Sequence, residues 1–114
     1  MIISGRNFLK SVRPQLKGGL GDVEIVEFFS KDTVKNCRLF CDQIIPVAGS
    51  IGEHTHINES EIYIIRSGRG IVKDKDGEFF VVVGDVVVTK SGETHSIKNI
   101  GSIPLIVSAI IVTH

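Results

Sequence analysis

Cysteine is scarce in this chain, and the little there is stands badly for cross-linking. Cys37 and Cys41 lie four residues apart in "CRLFCDQII"; on an extended segment their Cα atoms would be roughly 13 Å apart, against the ~7 Å a disulfide tolerates. They are expected to be free thiols packed as small hydrophobes, and a thiolate metal site is excluded for want of further cysteines. An excess of charge is lacking too. Thirteen Lys and Arg balance thirteen Asp and Glu, so no net field draws the chain to nucleic acid or an anionic membrane. Arg6, Lys10, Arg13 and Lys17 do fall in an opening stretch without an acidic residue; such scattered charges read as a solvated arm. No apolar run approaches the ~18 to 20 residues of a membrane span, and "MIISGRNFLKSV" lacks the apolar length of a signal peptide. The expectation is a cytoplasmic protein with neither nucleic acid nor membrane as partner. Repeats, low-complexity tracts and any sustained amphipathic helical period are also missing.

What the sequence has instead is a succession of short β-branched runs broken by glycine-centred turns, within a length that allows one domain. Strands are predicted at "VEIVEFF", "CRLFCDQII", "EIYIIR", "GIVKD", "EFFVVV", "DVVVT", "HSIKN" and "LIVSAIIVT". Asp76-Gly77 in "KDKDGEF" marks the clearest hairpin, because its turn calls for positive φ. This spacing predicts an all-β fold, an antiparallel β-barrel or two-sheet jelly roll with a ligand-sized interior. Residues 1–22 are read as an N-terminal arm, with "KGGLGD" as its hinge, and residues 23–114 as the barrel. "LIVSAIIV" is apolar on both faces. Read as an edge strand, it would invite aggregation if bare, and a homodimer covering it is expected.

Two of the four histidines stand one residue apart in "GSIGEHTHINESEIYIIRSG". On a strand, His54 and His56 project from one face about 6.7 Å apart at Cα, a spacing from which two imidazoles can share an ion. A strand turning back after "INES" would bring Glu61 beside them. Two histidines and a carboxylate with open positions form a recognised set for iron, manganese, nickel, cobalt or zinc. His95, heading "HSIKN", is the candidate fourth ligand; His114 is a poor one, because chain ends fray.

Gly49, His54, His56, Glu61 and Gly68 together resemble the first motif of the cupin family. Gly84, Gly92, His95 and Asn99 in "GDVVVTKSGETHSIKN" resemble its second, and the likeness covers roughly residues 37–112. Lys90 departs from the proline usual there, and Gly49 sits one residue nearer the first histidine than is commonest; neither change touches a ligand. The resemblance implies a single-domain cupin whose His54, His56, Glu61 and His95 bind one divalent metal, similar to small cupins near the oxalate decarboxylases.

Beyond these four, Tyr63 shares parity with Glu61 and either faces the cavity or fills the barrel. On "CRLFCDQII" the face of Cys37, Leu39, Cys41, Gln43 and Ile45 is the more apolar and is expected inward, leaving Gln43 as a polar group near the metal. The opposite parity would offer Arg38 to a carboxylate. Glu53, Glu59 and Glu93 read as solvated loop charges, with Glu59 and Glu93 as the candidates for a proton donor. What the resemblance implies is a small carboxylate ligand, converted by a decarboxylase-like or dioxygenase-like enzyme, or held without turnover for storage or sensing. A metal-free binder is a third reading.

Overall fold

A computed structural model describes residues 1–114. Its strands are Leu9–Pro14 (β1), Asp22–Glu27 (β2), Cys37–Ile45 (β3), Ser50–Thr55 (β4) and Glu59–Ser67 (β5). Arg69–Asp74 (β6), Gly77–Val82 (β7), Val86–Thr89 (β8), Thr94–Asn99 (β9) and Leu105–Thr113 (β10) complete them. All ladders are antiparallel, in a six-stranded sheet ordered β1-β2-β3-β10-β5-β8 and a four-stranded sheet ordered β4-β9-β6-β7. This is the expected all-β jelly roll. Gly77 sits at φ 122° beside Asp74, its register partner, as the predicted hairpin requires.

The two sheets bury one interior. Cys41, Gln43 and Ile45 of β3 point into it, as the apolar parity predicted, with Val107, Ala109 and Ile111 of β10 beside them. Toward one end the filling is apolar: Ile45, Ile65, Leu105 and Val107 are all but inaccessible, each contributing about 1.5–3 kcal/mol over an exposed position. Toward the other, the inward positions pass to Gln43, Tyr63, Glu61, Thr89, His56 and His95. The barrel is thus plugged at one end and polar at the other.

The edge position expected for the last strand is wrong. β10 lies between β3 and β5, hydrogen-bonded on both sides, so its ladder is not a bare edge. Its double-sided apolarity reflects centrality: Ile106, Ile110 and Val112 remain half-buried on the outer sheet face, beside Ile62 and Ile64 of β5 and the exposed Val86 and Val88 of β8. Among them runs a polar chain in which Arg66 donates to Ser108 Oγ (3.2 Å) and Ser108 donates to Asp42 Oδ1 (2.6 Å).

Residues 1–22 hold to the barrel at three points. β1 forms the edge of the larger sheet, with Arg13 opposite Val23. Phe8 packs on Phe28 at 4.9 Å between ring centres. Then "LKGG" turns against β4, where Gly19 and Gly52 lie so close to Ser50 and Lys17 backbone that a Cβ on either would overlap a carbonyl oxygen. Leu20 N–H donates to Ser50 Oγ (2.9 Å) and Ser50 N–H to Leu20 O (2.9 Å), so the segment read as a hinge is clamped to a strand.

Candidate metal centre

His54 and His95 are direct register partners on β4 and β9, so neighbouring strands of the smaller sheet carry the first two imidazoles. His56 lies just past the end of β4, tied down by its N–H to Glu93 O (3.2 Å) and its carbonyl from Gly92 N–H (2.6 Å). Glu61 does not arrive on an adjoining strand as the sequence reading had it. β5 belongs to the larger sheet, and the carboxylate reaches the histidines across the barrel interior.

The four side chains offer ligand atoms that all lie within 4.8 Å of one another. His95 Nε2 stands 3.0 Å from His54 Nε2, 3.0 Å from His56 Nε2 and 3.0 Å from Glu61 Oε1. His56 Nε2 lies 3.0 Å from the same oxygen, and His54 Nε2 is 3.9 Å from it.

The outer nitrogens decide what the inner ones present. His54 Nδ1 is 2.8 Å from the carbonyl of Gly52 and His56 Nδ1 is 2.7 Å from Glu59 Oε2. Both partners only accept, so the ring proton of each neutral imidazole sits on Nδ1 and its Nε2 is a bare lone pair. His95 Nδ1 meets the Thr89 hydroxyl at 2.7 Å, and its ring stacks on Tyr63 at 5.1 Å between centres. Lone pairs 3.0 Å apart repel. A divalent cation among them removes that repulsion, and separations of this size suit ligands sharing the shell of an ion bound at ~2.0–2.1 Å. The donor set fits a metal.

Burial pushes the Glu61 carboxyl up, but where the facing imidazoles carry protons on their inner nitrogens their hydrogen bonds and charge hold it at about 2, and a cation taking the place of those protons holds it as an anion in the same way. The Tyr63 hydroxyl is pushed well above its ordinary value by burial and by the Glu61 charge, and stays protonated. Glu59 is lowered chiefly by Arg38, whose Nε and Nη2 grip its two oxygens at 2.9 and 2.8 Å. The guanidinium offered in the reversed parity is therefore committed to Glu59, and through it steadies His56.

Over the cluster opens a cavity of about 300 Å³, whose wall includes Gln43, Tyr63 and Arg38. Gln43 is 6 % exposed and its Oε1 is buried with no hydrogen-bond partner. Glu53 is exposed, and Glu93 is bound to Lys75 (2.6 Å) and to the Lys90 N–H (2.8 Å). Sequence reading missed Glu59 and Thr89 as partners of the imidazoles. The three-residue step from His56 to Glu59 is the one signal that marks the former; the latter becomes a partner only through the β8–β9 turn.

A family model described as "Cupin domain" matches residues 42–112. A Thermotoga maritima protein named "Oxalate-binding protein" is 40% identical over 98 residues, covering 85% of this chain and 81% of that relative. Among solved structures, a Thermotoga maritima protein described as a predicted oxalate decarboxylase superposes with a TM-score of 0.94 at 34% identity, over 100% of both chains. A cupin 2 conserved barrel domain protein from Rhodopseudomonas palustris gives a TM-score of 0.76 at 17% identity, over 94% of this chain and 72% of that one, a likeness of fold alone.

Proposed function

The chain belongs to the cupin family, and from that premise we propose that it holds one divalent metal on His54, His56, Glu61 and His95 and binds a small carboxylate of the oxalate class there. The observation that carries this reading is the meeting of bare histidine nitrogens and one carboxylate oxygen at the floor of a cavity. Manganese, iron, zinc, nickel and cobalt all suit such donors. The ion supplies Lewis acidity and open positions for carboxylate oxygens. The Gln43 amide N–H and the Tyr63 hydroxyl donate to the ligand's outer oxygens, while the buried Gln43 Oε1, an acceptor, takes no hydrogen bond from a carboxylate. Arg38 acts at one remove, by fixing Glu59 against His56.

Binding without turnover is favoured by the state of the acids. Decarboxylation calls for a proton donor beside the bound carboxylate, and Glu59 and Glu93 are both held ionised by cationic partners. A decarboxylase or dioxygenase is the second reading, supported by the coordination positions that four protein ligands leave open. The free cysteines suit a reducing compartment, and we place the protein in the cytoplasm. The outer face of the larger sheet, with Ile62, Ile64, Val86 and Val88 around Arg66 and Asp42, carries apolar surface and both signs of charge. A second copy related by a two-fold axis complements it, which gives a homodimer.

Metal analysis of natively purified protein, calorimetric titration with oxalate, and incubation with oxalate under air test the reading. Near one ion per chain and saturable binding without product are expected. A chain that takes up none of these metals would sink it, and product formation would move the assignment to the enzyme. Sedimentation at several protein concentrations tests the dimer, with a monomer throughout as the adverse result.

A further inference from the structure

Resting on the carboxylate reading, we infer that Arg13 and Lys17 form a second anion subsite at the cavity mouth, so that the preferred ligand is a dicarboxylate longer than oxalate. Both residues line the same cavity as the histidine cluster. A two-carbon diacid that chelates an ion through both heads has nothing left to reach them.

These residues are held in place. Lys17 follows Leu16, which packs against the core, on a segment fixed to β4 by the Gly19–Gly52 approach and the Leu20–Ser50 bonds. Gln15 and Lys17 both adopt left-handed backbone, at φ 49° and 55°, a conformation that non-glycine residues enter only where the surroundings impose it. Arg13 stands on β1, two strands from β3. Adjacent strands lie ~4.8 Å apart, which places its backbone roughly 10 Å from that of β3, within reach of an arginine bending over Ile25 toward Gln43.

The charge of the cavity points the same way. Arg38 and Glu59 neutralise each other. Glu27 also lines the cavity, but its register partner is Leu9, four residues along β1 from Arg13, a distance of roughly 13 Å on a strand. Neither Arg13 nor Lys17 takes part in an ion pair. With a divalent ion in place, Glu61 and Glu27 balance it, and the two rim cations remain for a ligand of double negative charge. The wall between rim and cluster carries Leu16, Ile25 and Ile51, which suit a short methylene chain joining two carboxylates.

Zinc-loaded protein titrated calorimetrically with glutarate, pentanoate and oxalate tests the subsite. Wild type should bind glutarate about tenfold more tightly than pentanoate, the worth of one charge-assisted contact. Arg13→Gln with Lys17→Gln should abolish that preference while leaving zinc content and oxalate affinity within about twofold. The single variants guard against a folding defect in the double one. Equal binding of glutarate and pentanoate by wild type, or a preference that survives both substitutions, overturns the subsite while leaving the metal-carboxylate reading intact. Failure of all three acids to bind zinc-loaded protein overturns both.

Discussion

Two buried side-chain amides divide the barrel between them. Asn99, 2 % exposed at the plugged end, donates to the carbonyls of Ile45, Pro46 and Ile103 at 2.9–3.1 Å and accepts the Gly101 N–H at 2.9 Å. Gln43, on β3 two residues from Ile45, faces the open end with its oxygen unpaired. An amide whose every group is matched holds loops together; one whose oxygen is unmatched at a comparable depth is a cost the fold carries, and its N–H groups are left to donate to a ligand. The histidines repeat the contrast. Their outer nitrogens are partnered by protein, and their inner ones face only one another and Glu61.

The sharpest way to break this division is at the ligands themselves. His95→Ala should lower metal affinity at least ~100-fold, beyond what loss of an outer partner costs, whereas His114→Ala, whose ring lies 2.8 Å from Ser60 Oγ, should leave it unchanged. Metal titration with a competing chelator reads both, and full occupancy in His95→Ala would refute the assignment. Next comes the plugged end. Asn99→Ala removes its bonds to three carbonyls, of which Pro46 O keeps the Gly49 N–H (2.8 Å), and strands the Gly101 N–H, so urea unfolding should show a loss of about 3 kcal/mol, with Tm down on the order of 10 °C. Metal stoichiometry of the folded fraction should not change.

Glu59→Gln tests whether the outer partner of His56 matters in its own right. It weakens the Arg38 pair and replaces the carboxylate that holds the His56 proton outward by a neutral amide, a weaker acceptor, so affinity for metal should fall up to roughly tenfold with little loss of stability. Smallest of all should be Gln43→Leu. Replacing an unmatched amide by an apolar group of similar size should shift stability by less than about 1 kcal/mol in either direction, yet weaken oxalate binding by the loaded protein. A larger destabilisation would mean that this amide is structural, as Asn99 is.

Legibility followed the strength of local signals. The bounds of β3 and β10 coincide with the runs "CRLFCDQII" and "LIVSAIIVT", because apolar alternation in the first and a continuous, largely β-branched apolar run in the second, each bounded by loops, specify a strand locally. β1 gave no such signal. "LKSVRP" is exposed throughout and is a strand because β2 lies beside it, which is why Arg13 and Lys17 read as a solvated arm rather than a cavity wall. Glu59 likewise read as a loop charge, since nothing local shows Arg38 twenty-one residues upstream gripping it.

By itself the sequence determined the chemical kinds present and much of their local geometry: an all-β chain, two histidines one residue apart at a strand end, a glutamate and a third histidine at motif-like spacings, and an inward glutamine on β3. Backbone pleat and side-chain chemistry suffice for that, because both act over a few residues. Only the tertiary structure decided that β4 and β5 lie in opposite sheets, that Glu61 crosses the interior to meet the imidazoles, and that β10 is central. Those outcomes depend on which strands pair over long separations, a choice made by the burial of the whole interior at once rather than by any segment alone.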